Sequence, residues 1–346
     1  MNQRAPRPPT LHDVATRAGV SHQTVSRFLN GPTAVKPDTR ARIALAIGQL
    51  GYRRNLAARM LATRRSRAIG VLAPKGSDYG PTSTIHALEF AARARGYRLI
   101  VMTSVDRAES VEESLSLLAQ QSVEAIVVVN PNATTAGVTS DSAGCPVLPI
   151  QQPEHASAAS AYIDQQAGVE LAMWHLIGIG HRRIQLIAGP PHYVEALQRR
   201  AAFEAIVRAA DLPRTATIPG DWSARSGFAA AATIGDETTA VFCANDQMAL
   251  GVISGLLARG RRVPDDVSIV GFDDIPEAEY FVPPLTTVRQ DFTRVGELAI
   301  DQLVGLINGE MPRVRSILPE LIERASTRGL SNRASRSSHD AECRVD

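Results

Sequence analysis

Six side chains between residues 199 and 292 combine planar hydrogen-bonding groups with aromatic faces: Arg199, Trp222, Asn245, Asp273, Gln290 and Phe292. Guanidinium, amide and carboxylate groups grip vicinal hydroxyls, and an aromatic ring covers the C–H face of a sugar. The set therefore has the chemistry of a polyol-binding cleft. A second set lies near the start of the chain at helical spacing: His22, Gln23, Thr24, Ser26, Arg27 and Asn30. Gln pairs bidentately with adenine and Arg with guanine, while Ser and Thr reach phosphate. No activated nucleophile, Walker loop, metal triad or paired catalytic carboxylates stand in a suitable context, so neither an enzyme nor a cofactor or metal is expected. Gly178-Ile179-Gly180-His181 hints at a dinucleotide loop, yet it precedes a strand pattern where such a loop must follow one.

Helical periodicity places the second set on a short hairpin. Patterns over 11–18 and 22–29 flank Gly19, where a tight turn needs the left-handed backbone that glycine adopts at least cost. Ser21 stands before the second helix as an N-cap. Ala15 lets the helices cross closely, with Val14, Val20 and Val25 at the crossing, and a third helix over 37–50 brings Ile43, Leu45, Ala46, Ile47 and Leu50 to close a small core. Turn, cap, core and polar face together make a helix-turn-helix module whose second helix enters the major groove. Thr10, at its start, joins the candidate DNA contacts. Beyond it, RRNLAARMLATRRSR (53–67) offers Asn55 as an N-cap and then eight residues of helical pattern. A helix so short is marginal alone, because nucleation costs more than one or two turns repay.

The first set needs a larger scaffold. Strand patterns at 68–73, 97–102 and 125–129 alternate with helical ones at 84–95 and 110–120. The rhythm restarts with a strand at 183–188, a helix over 195–210, a strand at 240–243, a helix from 247 and a strand at 267–272. Such alternation gives parallel sheets with helices on both faces, and two runs give two lobes. Ligands in these sheets sit outside the carboxyl ends of the strands. Asn245-Asp246 and Asp273-Asp274 fall at strand ends, Trp222 in a polar loop, Arg199 just past Gly189-Pro190-Pro191, and Gln290 and Phe292 where the chain recrosses between lobes. Alternatives stay open at three positions. Asp246 caps the helix from 247 or binds ligand, Asp274 is a helix cap or a ligand group, and Trp222 is a cleft wall or ordinary core. His175 and His181 lack metal-ligand spacing and read as structural.

Charge divides the chain in the same place. Residues 1–68 carry 13 Lys+Arg against 2 Asp+Glu, leaving 24 against 33 for the remainder, so a whole-chain net of +2 conceals a basic head on an acidic body. With 346 residues, 44% of them hydrophobic, the chain holds a small head and a large core. Cys145, Cys243 and Cys343 show no paired spacing, and Cys243 in TTAVFCAND reads as a buried thiol. Neither a signal peptide nor a membrane-length apolar run is present, so a cytoplasmic location is expected. After Glu323 the sequence is polar, has one leucine and no heptad, and is expected to be disordered.

VATRAGVSHQTVSRFLN, Asn55-Leu56-Ala57-Ala58-Arg59-Met60-Leu61-Ala62, GDWSARSGF, CANDQMALG, VPDDVSIVGFDD and PPLTTVRQDF together resemble the LacI/GalR family of bacterial transcriptional regulators, nearest its lactose-repressor branch. The resemblance runs from Thr10 to about Thr327. It implies an α/β protein: an all-α helix-turn-helix head and a hinge helix, joined to a two-lobed periplasmic-binding-protein-like core of parallel sheets. The implied divisions are a disordered 1–9, a head at 10–54, a hinge and linker at 55–67, a core at 68–327 and a disordered tail at 328–346. Within the core, the lobes would be about 68–163 plus 292–318 and about 164–291 plus 319–327. By matched positions Arg199, Asn245 and Asp273 would hold effector hydroxyls, Trp222 and Phe292 would be apolar walls, and Gln290 a cleft neighbour. Asn55, Ala58 and Leu61 would contact the minor groove, with Leu61 wedged into a base step. The expected partners are double-stranded operator DNA, a sugar or glycoside effector, and a second copy in a homodimer without a tetramerising tail. Gln151 stands where galactoside-responsive members have a carboxylate, Glu195 where small polar residues are usual, and His22 where lactose-type heads have tyrosine. A sugar-released repressor is the leading expectation; a nucleobase corepressor and a sugar-metabolising enzyme with a DNA-binding head are the alternatives.

Overall fold

The computed structural model describes residues 7–31, 35–53, 60, 63, 65–76, 78–104, 108–129, 135, 138–151, 160–311 and 313–330. The chain forms two compact units, Met1–Ser66 and Arg67–Asp346.

In the smaller unit, helix α1 (Leu11–Ala18) opens with a reciprocal capping box: the Thr10 hydroxyl accepts from the Asp13 amide, and the Asp13 carboxylate accepts from the Thr10 amide at 2.8 Å. Gly19 ends it in the left-handed conformation, φ 62°. Ser21 caps α2 (His22–Asn30) by accepting from the Thr24 amide at 3.2 Å. Pro37 begins α3 (Pro37–Leu50), where its missing N–H costs nothing. Val14, Ala15, Ala18, Val25, Ile43 and Ala46 are buried together. Leu45 departs from expectation, since it is 62% exposed. Helical steps of 100° put residues 43, 46, 47 and 50 on one stripe and turn residue 45 to the opposite side.

The larger unit is two α/β lobes. The first has a parallel sheet in the order β2-β1-β3-β4, from β1 (Ala68–Pro74), β2 (Arg98–Ser104), β3 (Ala125–Val129) and β4 (Val147–Ile150). Helices α4 (Tyr79–Ala94), α5 (Ala108–Gln120) and the short α6 (Ser140–Ala143) connect its strands. β5 (Ser160–Ile163) then leads to α7 (Gln165–Gly178) and the second lobe. That lobe contains β6 (Ile184–Ala188), α8 (Val194–Ala209), β7 (Ile218–Pro219), α9 (Ala224–Ala230), β8 (Ala240–Cys243), α10 (Asp246–Ala258), β9 (Ser268–Asp273) and β10 (Thr286–Arg289). From β10 the chain returns through α11 (Phe292–Ile307) to β11 (Val314–Ile317), which pairs with β5 in parallel. It crosses once more to β12 (Glu320–Ile322), which pairs antiparallel with β10 at the sheet edge. The second sheet thus runs β12-β10-β9-β8-β6-β7. α11 packs on α4, and Gly296 permits the crossing, since a Cβ there would come within 2.6 Å of Ala87.

Three segments therefore link the lobes: β5 to α7, β10 to α11, and β11 to β12. Parallel strands buried on both faces read as continuous apolar runs, as AIVVV in β3 does. Cys243 is fully buried in β8, and His181 is buried with hydrogen bonds to Thr239 and Ser268. The chain past Glu323 is ordered as far as residue 330, against expectation: Ser326 donates to the Ile269 carbonyl and accepts from the Thr286 amide, and the Leu330 amide donates to Ile179. Ser326 there joins the starts of β9 and β10, neighbours within the sheet, a role that composition does not reveal. Expectations for residues 1–6 and 331–346 lie outside the described residues.

Candidate functional site

Between the lobes lies a cavity of about 330 Å³, at the carboxyl ends of both sheets. Arg199, Trp222, Asn245, Asp273, Gln290 and Phe292 all line it. Residues spread over more than ninety positions are brought together because every strand of a parallel sheet ends on the same side.

Arg199, on α8, is 5% exposed and heavily engaged. It donates from Nε to Gln165 Oε1 at 2.8 Å and from Nη1 to the Ala244 carbonyl, with Asp273 Oδ1 at 3.8 Å. Its guanidinium also lies over the Phe272 ring, 3.9 Å from the centroid. Asp273 ends β9 and accepts from Gln290 Nε2 at 2.6 Å. Burial raises the Asp273 carboxyl to about 6, and Arg199 and Gln290 offset that only in part. The same burial lowers Arg199 from its usual value. Desolvation outweighs the ion pair for both partners.

Asn245 caps α10. Its Oδ1 accepts from the Met248 amide at 2.9 Å, and its Nδ2 donates to the Trp222 carbonyl and to Gln247 Oε1. The amide thus fixes the Trp222 loop while lining the cavity. Trp222 itself has φ 72° and is half-buried, one side on the second lobe's core and the other on the cleft. A Cβ at Gly189 would come within 2.1 Å of the indole, so only glycine leaves room for the ring. Phe292 begins α11 and meets Tyr79 edge-on, with centroids 5.8 Å apart.

Two open alternatives resolve differently from either option. Asp246 neither caps α10 nor lines the cavity: its buried carboxylate accepts from the Ile275 amide at 2.9 Å and the Thr287 hydroxyl at 2.5 Å. Asp274 accepts from Arg289 and Arg324, each at 2.7 Å, and so ties β9 to β10 and the segment after β12. Several lining residues have no counterpart in the sequence reading. Asp78 and Tyr79 follow β1, where the strand-end rule that selects Asp273 would have found them; Asp221 adjoins Trp222. Gln165 carries no local signal at all. Glu195, on α8, is raised to about 7 by burial.

In the smaller unit, His22, Gln23 and Arg27 are exposed on α2, and Thr24 and Ser26 are half-buried. The Thr24 and Ser21 hydroxyls lie 2.8 Å apart. Thr10 donates its hydroxyl to Asp13 at 2.8 Å. Asn30 is the last residue of α2. Asn55, Ala58 and Leu61 lie outside the described residues.

Residues 10–55 match the model for bacterial regulatory proteins of the lacI family, and residues 173–327 match that for a periplasmic binding protein-like domain. The lactose operon repressor of Escherichia coli (strain K12) is 33% identical over 93% of this chain and 91% of its own length. The transcriptional repressor PurR of Haemophilus influenzae is 32% identical, over 93% and 99%. Among solved structures, the lac repressor dimer bound to operator and the anti-inducer ONPF superposes with a TM-score of 0.84 at 32% identity, covering 93% of this chain and all of that one. The regulator CelR in complex with cellobiose gives 0.70 at 30% identity, covering 92% and 99%. A helix-turn-helix, a two-lobed parallel core and relatives spanning both halves agree: the chain belongs to the LacI family of bacterial transcriptional regulators.

Proposed function

We propose that this protein is a repressor that binds a palindromic operator as a homodimer and is released when a small polyhydroxylated effector enters the inter-lobe cleft. The observation that carries the reading is the cleft itself, where Arg199 and Asp273 face the cavity beside the Trp222 and Phe292 rings. Solved relatives bound to operator, to ONPG and to cellobiose support it. His22, Gln23, Arg27 and Asn30 read base edges, with Thr10, Thr24 and Ser26 on phosphate; Asn55, Ala58 and Leu61 act in a hinge over 55–67. A helix-turn-helix needs a two-fold partner to read both half-sites. The curated relatives are repressors, and the protein acts in the cytoplasm by binding, without turnover. Among the described residues no helix is long and apolar enough to cross a membrane.

Release requires that the effector bind the operator-competent and released arrangements with unequal affinity, since an indifferent ligand shifts nothing. The test is operator selection from a random DNA pool, followed by anisotropy titration with mono- and disaccharides and purines. Weakened operator binding with a saccharide supports the reading. A purine that tightens binding would replace it with corepression, and operator affinity unmoved by every ligand that binds would overturn it.

A further inference from the structure

Charge around the cleft is uneven. Among the described lining residues, Asp78, Glu195, Asp221 and Asp273 face one guanidinium, Arg199. That guanidinium is matched to Asp273 and held by Gln165 and the Ala244 carbonyl, so its charge is spent within the wall. Of the remaining acidic groups, Asp78 and Asp221 come from opposite lobes, Asp78 just before α4 and Asp221 in the loop before α9.

Their surroundings differ in a way that matters for a ligand. Asp78 sits at the N-cap position of α4 but makes no capping hydrogen bond, so its carboxylate is not committed to the helix end. Asp221 Oδ1 accepts from the Ser223 amide at 2.9 Å and the Ser223 hydroxyl at 2.6 Å, which orient it and keep it ionised. Burial raises Asp78, and the nearby charge of Asp221 raises it further. Both carboxylates line one cavity from opposite lobes, so their like charges oppose each other across the gap between lobes. A neutral ligand leaves that repulsion in place, whereas a cation between them turns it into attraction. Gln151 adds an acceptor on the cavity wall, since its buried Oε1 has no hydrogen-bond partner among the described residues.

We propose that the effector is cationic, a polyhydroxylated compound of the amino-sugar class, whose ammonium lies between Asp78 and Asp221 while its hydroxyls address Arg199, Asp273 and Gln151. This inference rests on the polyol-cleft reading above and narrows it. The cation would bridge the lobes directly, which gives ligand binding a means of favouring one lobe arrangement over another.

The test uses the full-length protein and matched trios of hexose, hexosamine and N-acetylhexosamine in three stereochemical series. Binding is followed by calorimetry and operator release by anisotropy. In the preferred series the hexosamine binds about tenfold tighter than its parent hexose and its N-acetyl form. The preference shrinks with added salt. It also shrinks in D78N and in D221N, which are read as the ratio of affinities within each variant. Neutral hexoses that bind and release operator as well as the amines would overturn the cationic inference alone. So would an undiminished preference in both variants. Failure of the whole panel to bind would remove the polyol-cleft reading and this inference with it.

Discussion

Gln165 donates from Nε2 to Gln290 Oε1 across 2.9 Å, although 125 positions separate them. The first residue opens α7 just after one crossing between lobes, and the second lies between β10 and α11 at another. From this pair the network continues into the second lobe's wall of the cleft: Gln165 Oε1 accepts from Arg199, and Gln290 Nε2 donates to Asp273. The crossings and the cleft residues Arg199 and Asp273 are therefore parts of one buried hydrogen-bonded unit. A ligand that draws Arg199 or Asp273 toward itself would pull on the segments that link the lobes.

Removing the amide in Q165A leaves Arg199 Nε and Gln290 Oε1 without these partners in a buried setting. The expected cost is about 1–3 kcal/mol of core stability, read by urea denaturation, together with a shifted effector concentration for operator release. An unchanged unfolding midpoint would show that the network carries no load.

The G189A substitution drives a methyl group into the indole of Trp222. The ring must leave its seat, so effector affinity should fall by more than tenfold, about 1.4 kcal/mol, while operator binding without effector persists. Tryptophan emission reports the displacement, and an unaltered spectrum with unaltered affinity would rule out this role for the glycine.

The cleft carboxyls also make stability pH-dependent. Asp273 is raised to about 6 and Glu195 to about 7, both above the ordinary carboxylate range. Between that range and these values the native state holds protons that the unfolded chain has released, so the contribution is full at low pH and is lost as pH rises toward 6 to 7. The effector-free protein should therefore lose stability relative to D273N as pH rises through this window. Parallel pH profiles for the two proteins would contradict the burial argument.

Arg27 projects from α2 into solvent. The R27A substitution should cost about 1–3 kcal/mol of discrimination at one base position, read as relaxed selection there in a randomised operator. Uniform weakening across all sequences would instead make Arg27 a phosphate contact.

Leu61 is the hinge position proposed to wedge into the minor groove. A polar substitution, L61S, should weaken operator binding far more than binding to unrelated DNA, compared at one salt concentration. Equal losses on both would dismiss the wedge.

The head was legible in the sequence because its determinants are local. Gly19 must turn left-handed, Ser21 must satisfy an amide three residues on, and the apolar stripe through Ile43 and Ala46 repeats with the helix. The strand rhythm likewise announced two parallel sheets and pointed to Asn245, Asp273 and Arg199. What the sequence by itself did not contain was the partnership of those groups. That Asp246 is consumed by Thr287 and Ile275, that Asp274 binds two arginines, and that Ser326 joins β9 to β10 depend on segments meeting over 15 to 57 positions. Gln165 was invisible for the same reason, whereas Asp78, just past the end of β1, was within reach of the strand-end rule. A hydrogen-bonding side chain has many partners available along a chain, and only the packing of both lobes leaves it one.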